Sequence, residues 1–334
     1  MRMSMSPQKG GFHRCTGGGP LRAALRAARA NPSASGGLSG LSVMRVSLLA
    51  VACRAIIARG GRQARSGWPR GPGTASLVHL TRRRLLDNPF AHHPELAGLI
   101  ADPLTSSFRT LTTERVKEQI ARLGGSTDWF HSDAHREGLR RATLATLPPG
   151  DLWVFAYGSL MWDPGIRFAE VRRARLSRHA RRFILYDANG GRGTAEAPGV
   201  MAALDTCPPD DPGCEGLAFR LPAAWIEAET RILWQREIIG PAYLARMVPA
   251  QIGGTMTSVL AFVADHDAPM IRPDLPHGEQ VRCLATGAGF LGSSYDYLAR
   301  LAEQFDALGI EDPHIRALLK EVQDLRAAMG AETA

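Results

Sequence analysis

From Pro149 onward the chain breaks into six short β-prone runs, near 153–157, 182–186, 201–204, 216–221, 243–248 and 258–264, separated by turn-rich stretches. One helical stretch, about 223–239, interrupts them, and two more follow at the end. This order lacks the regular strand–helix alternation that builds a doubly wound nucleotide fold. It predicts an α+β domain around a mostly antiparallel, curved or closed sheet with flanking helices. The last two helices are expected to stop at Gly309 and to restart at Asp312-Pro313, with Ile315, Leu319, Val322 and Leu325 facing inward.

Charge divides the chain before any motif is needed. Of its 40 Lys and Arg residues, 15 lie in the first 86 positions, which hold no Asp or Glu; the other 25 face all 32 acids. The net charge of +8 therefore belongs to a terminal arm, and it gives no ground for a nucleic-acid-binding enzyme. The arm, 1–76, is rich in Gly, Ala, Arg and Ser and has no sustained period. Three readings stay open for it: a targeting segment, a disordered basic tail, or sequence translated from upstream of a true start such as Met44. The apolar stretch 46–58 is broken by Arg54 and is too short to span a bilayer.

Residues 77–150 read as a helical N-terminal extension. One helix starts near Thr112-Thr113, carries Val116, Ile120 and Leu123 at helical spacing and stops at Gly124-Gly125; a second covers about 133–147. His131 and His135 stand one helical turn apart, but with no third ligand in view they read as helix-face histidines. Five cysteines, odd in number and spaced like neither a disulfide framework nor a zinc site, fit a reducing compartment. Cys207 and Cys214, flanking a Pro/Asp loop, read as two free thiols.

Two places carry chemistry. The apolar run Trp153-Val154-Phe155-Ala156 ends in Tyr157, Gly158, Ser159 and Leu160, beside Trp162, Pro164 and Gly165. A glycine there lets the main chain approach a ligand, and consecutive N–H groups make a concavity that suits a carboxylate; the same residues also read as a plain strand end. Glu237 follows Leu233 by four and Trp234 by three positions, so it extends their apolar face, and Gly240-Pro241 ends the helix just beyond. Desolvation and the helix end both raise its pKa toward values useful for proton transfer. A surface carboxylate paired with Arg236 is the competing reading. Glu229, two turns earlier, is a secondary candidate. The glycine-rich stretch 190–194 lacks the Walker spacing and its Lys, and is assigned to a turn near the pocket.

The stretch WVFAYGSLMW, from Trp153 to Trp162, resembles the opening strand and loop of the ChaC-type γ-glutamylcyclotransferases, W-V-F-G-Y-G-S-L-I-W. Further matches follow in order: Arg182-Phe183, Arg192-Gly193-Thr194, Pro198-Gly199, the run 216–222, Trp234-Gln235-Arg236-Glu237 and 292–298. The resemblance spans about half the chain, from near Leu152 to the end, and assigns 151–330 to a γ-glutamylcyclotransferase domain with a closed barrel. It implies a cytoplasmic enzyme that cleaves glutathione to 5-oxoproline and Cys-Gly, with Glu237 as general acid/base. It implies substrate contacts from Tyr157, Gly158, Ser159, Leu160, Arg192, Gly193 and Tyr297. No metal or other cofactor and no nucleic-acid or membrane partner is implied, and the oligomeric state is left open. Other γ-glutamyl amines as substrates, or a non-catalytic γ-glutamyl-binding module, remain as alternatives. Two positions depart from the pattern: Ala156 stands where the family usually has Gly, and Ser294 where it usually has Asn. Tyr297, followed by Leu298, Leu301, Phe305 and Leu308 at helical spacing, reads equally as a pocket donor or as core.

Overall fold

Five strands close on themselves where the first and last of them pair in parallel. The computed structural model describes residues 88–332, all within one compact unit; the basic arm, Cys15 and Cys53 lie outside the described residues. In chain order the main elements are α1 (Thr113–Arg122), α2 (Asp133–Leu144), β1 (Leu152–Ala156), β2 (Glu170–Leu176), β3 (His179–Asp187), β4 (Gly199–Thr206) and β5 (Cys214–Leu221). There follow α3 (Ile226–Glu237), β6 (Tyr243–Ile252), β7 (Thr255–Ala264), α4 (His277–Thr286), the short pair β8 (Ala288–Gly289) and β9 (Gly292–Ser293), α5 (Ser294–Leu308) and α6 (Pro313–Glu332).

The sheet runs β1-β5-β2-β6-β7 and returns to β1 by the parallel pairs Trp153–Val259 and Val154–Leu260, which closes a five-strand barrel. The other four barrel junctions are antiparallel. A sheet that is closed leaves no unpaired edge to manage. Along one edge of β7, β1 pairs as far as Leu260 and β4 takes over at Val263 (opposite Leu204), so the chain leaving β1 turns into the gap between them. β3 extends the sheet beyond β4, with a shift in register between Arg182 and Leu185.

Two apolar clusters sit on opposite faces of the same strands. Phe155, Tyr157, Ala174, Leu176, Ala218, Val248, Ala250, Val259 and Ala261 pack together from the strands alone and fill the barrel. Val154, Ala156, Val171, Leu217, Phe219, Leu260 and Phe262 point outward to Leu233 and Trp234 of α3, Leu298, Leu301 and Phe305 of α5, and Ile315, Leu318 and Val322 of α6. α5 ends at Gly309 in the left-handed conformation (φ 60°), and α6 starts at Pro313, as expected from sequence.

The six expected strands are present, each within a few residues of its predicted limits. β2 was not expected. Four of its seven residues are charged, and its stability comes from partners distant in sequence: Arg173 bonds Glu215, and the Glu170 carboxylate accepts from Arg220 at 2.9 Å. α4 was not expected either; it has no side-chain N-cap and earns its place by burying Val281, Cys283, Leu284 and Ala285.

Residues 88–149 pack on the barrel through buried charge. Arg140, whose side chain is 1% exposed, donates to Glu137, to Glu227 and, at 2.9 Å, to the Thr230 hydroxyl, tying α2 to α3. Glu229 is fully buried; it accepts from Arg109 Nη1 at 2.7 Å and from the Arg167 N–H at 2.9 Å. Glu229 is thus a pinning group between the extension and α3, away from the cavity described next.

Candidate functional site

Glu237 is the last residue of α3, on the face already buried by Leu233 and Trp234. Its side chain, 13% exposed, opens into a cavity of about 190 Å³ at the gap between β1 and β4. Burial pushes its carboxyl above the ordinary Glu value, against the opposing pull of Arg236, whose Nε lies 2.9 Å from Oε1. Glu237 thus lies on the buried face its spacing predicted, and it pairs with Arg236 without being a surface carboxylate.

Arg236 organises this corner. Its Nη2 donates to the Ser159 hydroxyl at 2.7 Å, its Nη1 donates to the Asp163 carbonyl, and its guanidinium lies 3.8 Å from the centre of the Phe108 ring. One side chain therefore holds the 159–163 turn in place beside the carboxylate. The N–H groups of Gly158, Ser159 and Leu160 donate to no protein acceptor among the described residues. A Cβ at Gly158 would collide with the Tyr297 hydroxyl, so glycine is what permits the approach.

Three tyrosines surround the carboxylate. Tyr157 donates to the Phe262 carbonyl at 3.0 Å, which caps the strand position where β1 has left β7. Tyr243, at the start of β6, and Tyr297, on α5, line the cavity. Burial drives the Tyr157 and Tyr243 hydroxyls well above the ordinary tyrosine pKa and pushes Tyr297 up to about 12, so all three stay protonated donors. Arg192 lies over the Tyr297 ring at 5.0 Å and donates to the Ser293 carbonyl at 3.1 Å; burial lowers its pKa. Asp187 holds the turn that carries Arg192: its carboxylate accepts from the N–H groups of Asn189, at 2.9 Å, and of Arg192. Burial nevertheless raises its pKa.

Of the residues singled out in the sequence, Glu237, Ser159, Arg192 and Tyr297 line one cavity. Gly158 lies directly behind, against Tyr297. Tyr157 and Leu160 are buried in the two apolar clusters, and Gly193 sits where the chain crosses Gly199 so closely that a Cβ would overlap backbone. Ser294, the replacement for Asn, is fully buried; its hydroxyl accepts from Val200 N–H at 3.1 Å and donates to the Arg192 carbonyl at 3.2 Å, so it still ties the turn to β4. Ala156 is also fully buried, with its carbonyl against Gly216. Sequence reasoning missed Tyr243 and the cavity walls Phe108, Leu111 and Trp129. Only the position of Tyr243, six residues past Glu237 at a strand start, could have drawn attention to it.

The His131 and His135 rings lie 4.6 Å apart, tilted by 55°, and no group of three or more possible metal ligands occurs among the described residues. Cys207, Cys214 and Cys283 are buried free thiols. No helix among the described residues is long and apolar enough to cross a membrane.

The fold is a closed α+β barrel with a buried carboxylate and two cavity-lining tyrosines at a strand gap. Residues 152–325 match the family model of ChaC-like proteins, and the chain belongs to that family. It is 35% identical over 188 residues to a glutathione-specific γ-glutamylcyclotransferase of Escherichia coli, covering 56% of this chain and 79% of the relative. A protein of the same name from Schizosaccharomyces pombe is 30% identical, over 53% of this chain and 94% of its own. A solved structure of a γ-glutamylcyclotransferase specific to glutathione from yeast aligns with a TM-score of 0.48 at 21% identity, covering 53% of this chain and 97% of that one.

Proposed function

We propose that this protein is a γ-glutamylcyclotransferase that converts glutathione to 5-oxoproline and Cys-Gly, with Glu237 as the proton-transfer group. The observation that carries the reading is the buried Glu237 carboxylate, raised in pKa, facing the cavity beside the free N–H groups of the 158–160 turn. The names of the curated relatives supply the substrate.

In the proposed reaction the substrate α-amine attacks its own γ-amide carbon, a C–N bond closes the five-membered ring, and the C–N bond to Cys-Gly breaks. Glu237 takes the proton lost by the α-ammonium and returns one to the departing nitrogen. A carboxylate held above its ordinary pKa suits both halves of that transfer. The N–H groups of Gly158, Ser159 and Leu160 receive the α-carboxylate or the developing oxyanion. Arg192 and Tyr297 complete the polar wall. Holding nucleophile and electrophile in one folded substrate supplies much of the acceleration, since effective molarity contributes up to roughly 7–11 kcal/mol in well-oriented cases.

The test is release of 5-oxoproline and Cys-Gly from glutathione by the purified chain in the presence of a metal chelator, beside Glu237→Gln. Expected is turnover by the parent and a loss of about 10²–10⁴-fold in kcat for the variant. A parent that releases no 5-oxoproline refutes the activity, and a variant as active as the parent refutes the role of Glu237.

A further inference from the structure

The cavity has a second wall that comes from outside the family-matching residues. Phe108, Leu111, Val116, Ile120 and Trp129 all belong to the segment before β1, and all line the cavity that Glu237 faces. The segment is fastened on both sides of the carboxylate. Toward α3, the Leu111 carbonyl accepts from the Gln235 side chain, Phe108 lies under Arg236, and the His131 N–H donates to the Ile239 carbonyl at 3.0 Å. Across the cavity, Gly125 is pressed so tightly on the Asn189 backbone that a Cβ there would overlap it, and Ile120 and Leu123 lie about 3.5 Å from where a Cβ of Gly190 would sit. Trp129 closes the end of the span over Gly240, where a Cβ would overlap the indole.

The two walls differ in one respect. The barrel side supplies the cavity's charged and hydrogen-bonding side chains, among them Glu237, Arg236, Ser159, Arg192 and Tyr297, together with apolar residues such as Leu185, Met201 and Ala242, whereas the segment before β1 contributes only Phe108, Leu111, Val116, Ile120 and Trp129. A γ-glutamyl group carries an ammonium and a carboxylate, and both need the polar wall. Once its amine is at Glu237, the uncharged part of the substrate left to meet the 108–129 side is the side chain of the departing amine, while the terminal carboxylate of Cys-Gly stays with the polar groups or in water. We propose that residues 108–129 form the leaving-group wall of the site and select the departing amine by apolar contact, with Leu111 and Trp129 as specificity-determining residues for a leaving group that carries a soft, apolar side chain such as that of Cys-Gly. This inference rests on the cyclotransferase reading above.

Leu111 is the best probe, because truncating its side chain leaves its carbonyl available to Gln235. The full chain, Leu111→Ala and Leu111→Phe are compared on glutathione and on γ-glutamyl methylamide, whose leaving group is too small to reach the wall, by 5-oxoproline release. The readout is the ratio of the two kcat/KM values, which a general loss of folding or of proton transfer does not move. Leu111→Ala removes apolar contact and Leu111→Phe intrudes on the space, so in each the ratio of glutathione to methylamide is expected to fall about tenfold, the scale on which apolar pockets discriminate. Ratios that stay within about threefold of the parent in both variants overturn the proposal while leaving the activity intact. A parent that makes no 5-oxoproline from either substrate refutes the reading beneath it and this inference together.

Discussion

Replacing Arg109 by Met tests the strongest single claim about how the segment before the barrel is held. Glu229 has no exposed side-chain surface, and Arg109, 20% exposed, donates to it at 2.7 Å. Removing one partner of a buried ion pair costs about 3–5 kcal/mol, because the other charge is left desolvated. Arg167 continues to reach the carboxylate through its N–H at 2.9 Å and its Nε at 2.5 Å, which places the cost at the low end, about 3 kcal/mol. In a unit of this size that corresponds to a fall in Tm of roughly 6–12 °C. The pH dependence has a definite sign. Burial pushes the Glu229 carboxyl up, but hydrogen bonds from Arg109 and Arg167 outweigh it and hold the folded-state pKa below the ordinary Glu value. The stabilisation is therefore present above the ordinary carboxylate range and is lost as pH falls through the lowered value. Scanning calorimetry from pH 7 to pH 3 should show the Arg109→Met deficit shrinking toward acid, and Arg109→Met with Glu229→Leu should regain part of the loss. A Tm for Arg109→Met within about 2 °C of the parent at pH 7, or a deficit that does not change with pH, would refute the argument.

Two further outcomes follow from the site. Gly158→Ala should lose about 1–3 kcal/mol by overpacking against the Tyr297 hydroxyl. Adding Tyr297→Phe should restore part of it, because the ring carbon bearing that hydroxyl lies an ordinary 3.5 Å from the new Cβ; strictly additive urea-denaturation energies would rule out the contact. For Glu237, whose folded-state pKa is raised by burial, ionisation costs stability as pH rises from the ordinary Glu value through the raised one. Glu237→Gln should therefore melt higher than the parent above that window and alike below it, and the opposite trend would show that the Arg236 pair outweighs the desolvation.

The strand pattern after Pro149 was legible because β1, β4, β5, β6 and β7 each carry β-branched or aromatic residues with an apolar face, bounded by turns. β2 was hidden by its charges, since Glu170, Arg173 and Arg175 find partners at Arg220, Glu215 and the Pro212 carbonyl that no local window contains. The burial of Glu237 could be read from its spacing after Leu233 and Trp234. Its tie to Arg236 could not be distinguished in sequence from a surface pair, because that depends on what covers the end of α3. Leu111 and Trp129 carry no signal at all as site residues; they are ordinary apolar residues in a segment whose place is set by where it docks.

The sequence by itself determined the class of fold, the family, the turn after β1 and the carboxylate at the end of α3, because strand periodicity, helix spacing and an ordered series of motifs are local properties. Tertiary structure alone decided that β1 and β4 share one edge of β7, that three phenols converge on Glu237, and that a segment outside the family match closes the cavity. Those facts rest on contacts between residues far apart in the chain, such as the Tyr157 hydroxyl on the Phe262 carbonyl, 105 positions away, and Arg109 on Glu229, 120 positions away. The free energy that selects them comes from burying charges and apolar faces together, which a reading of neighbours along the chain does not contain.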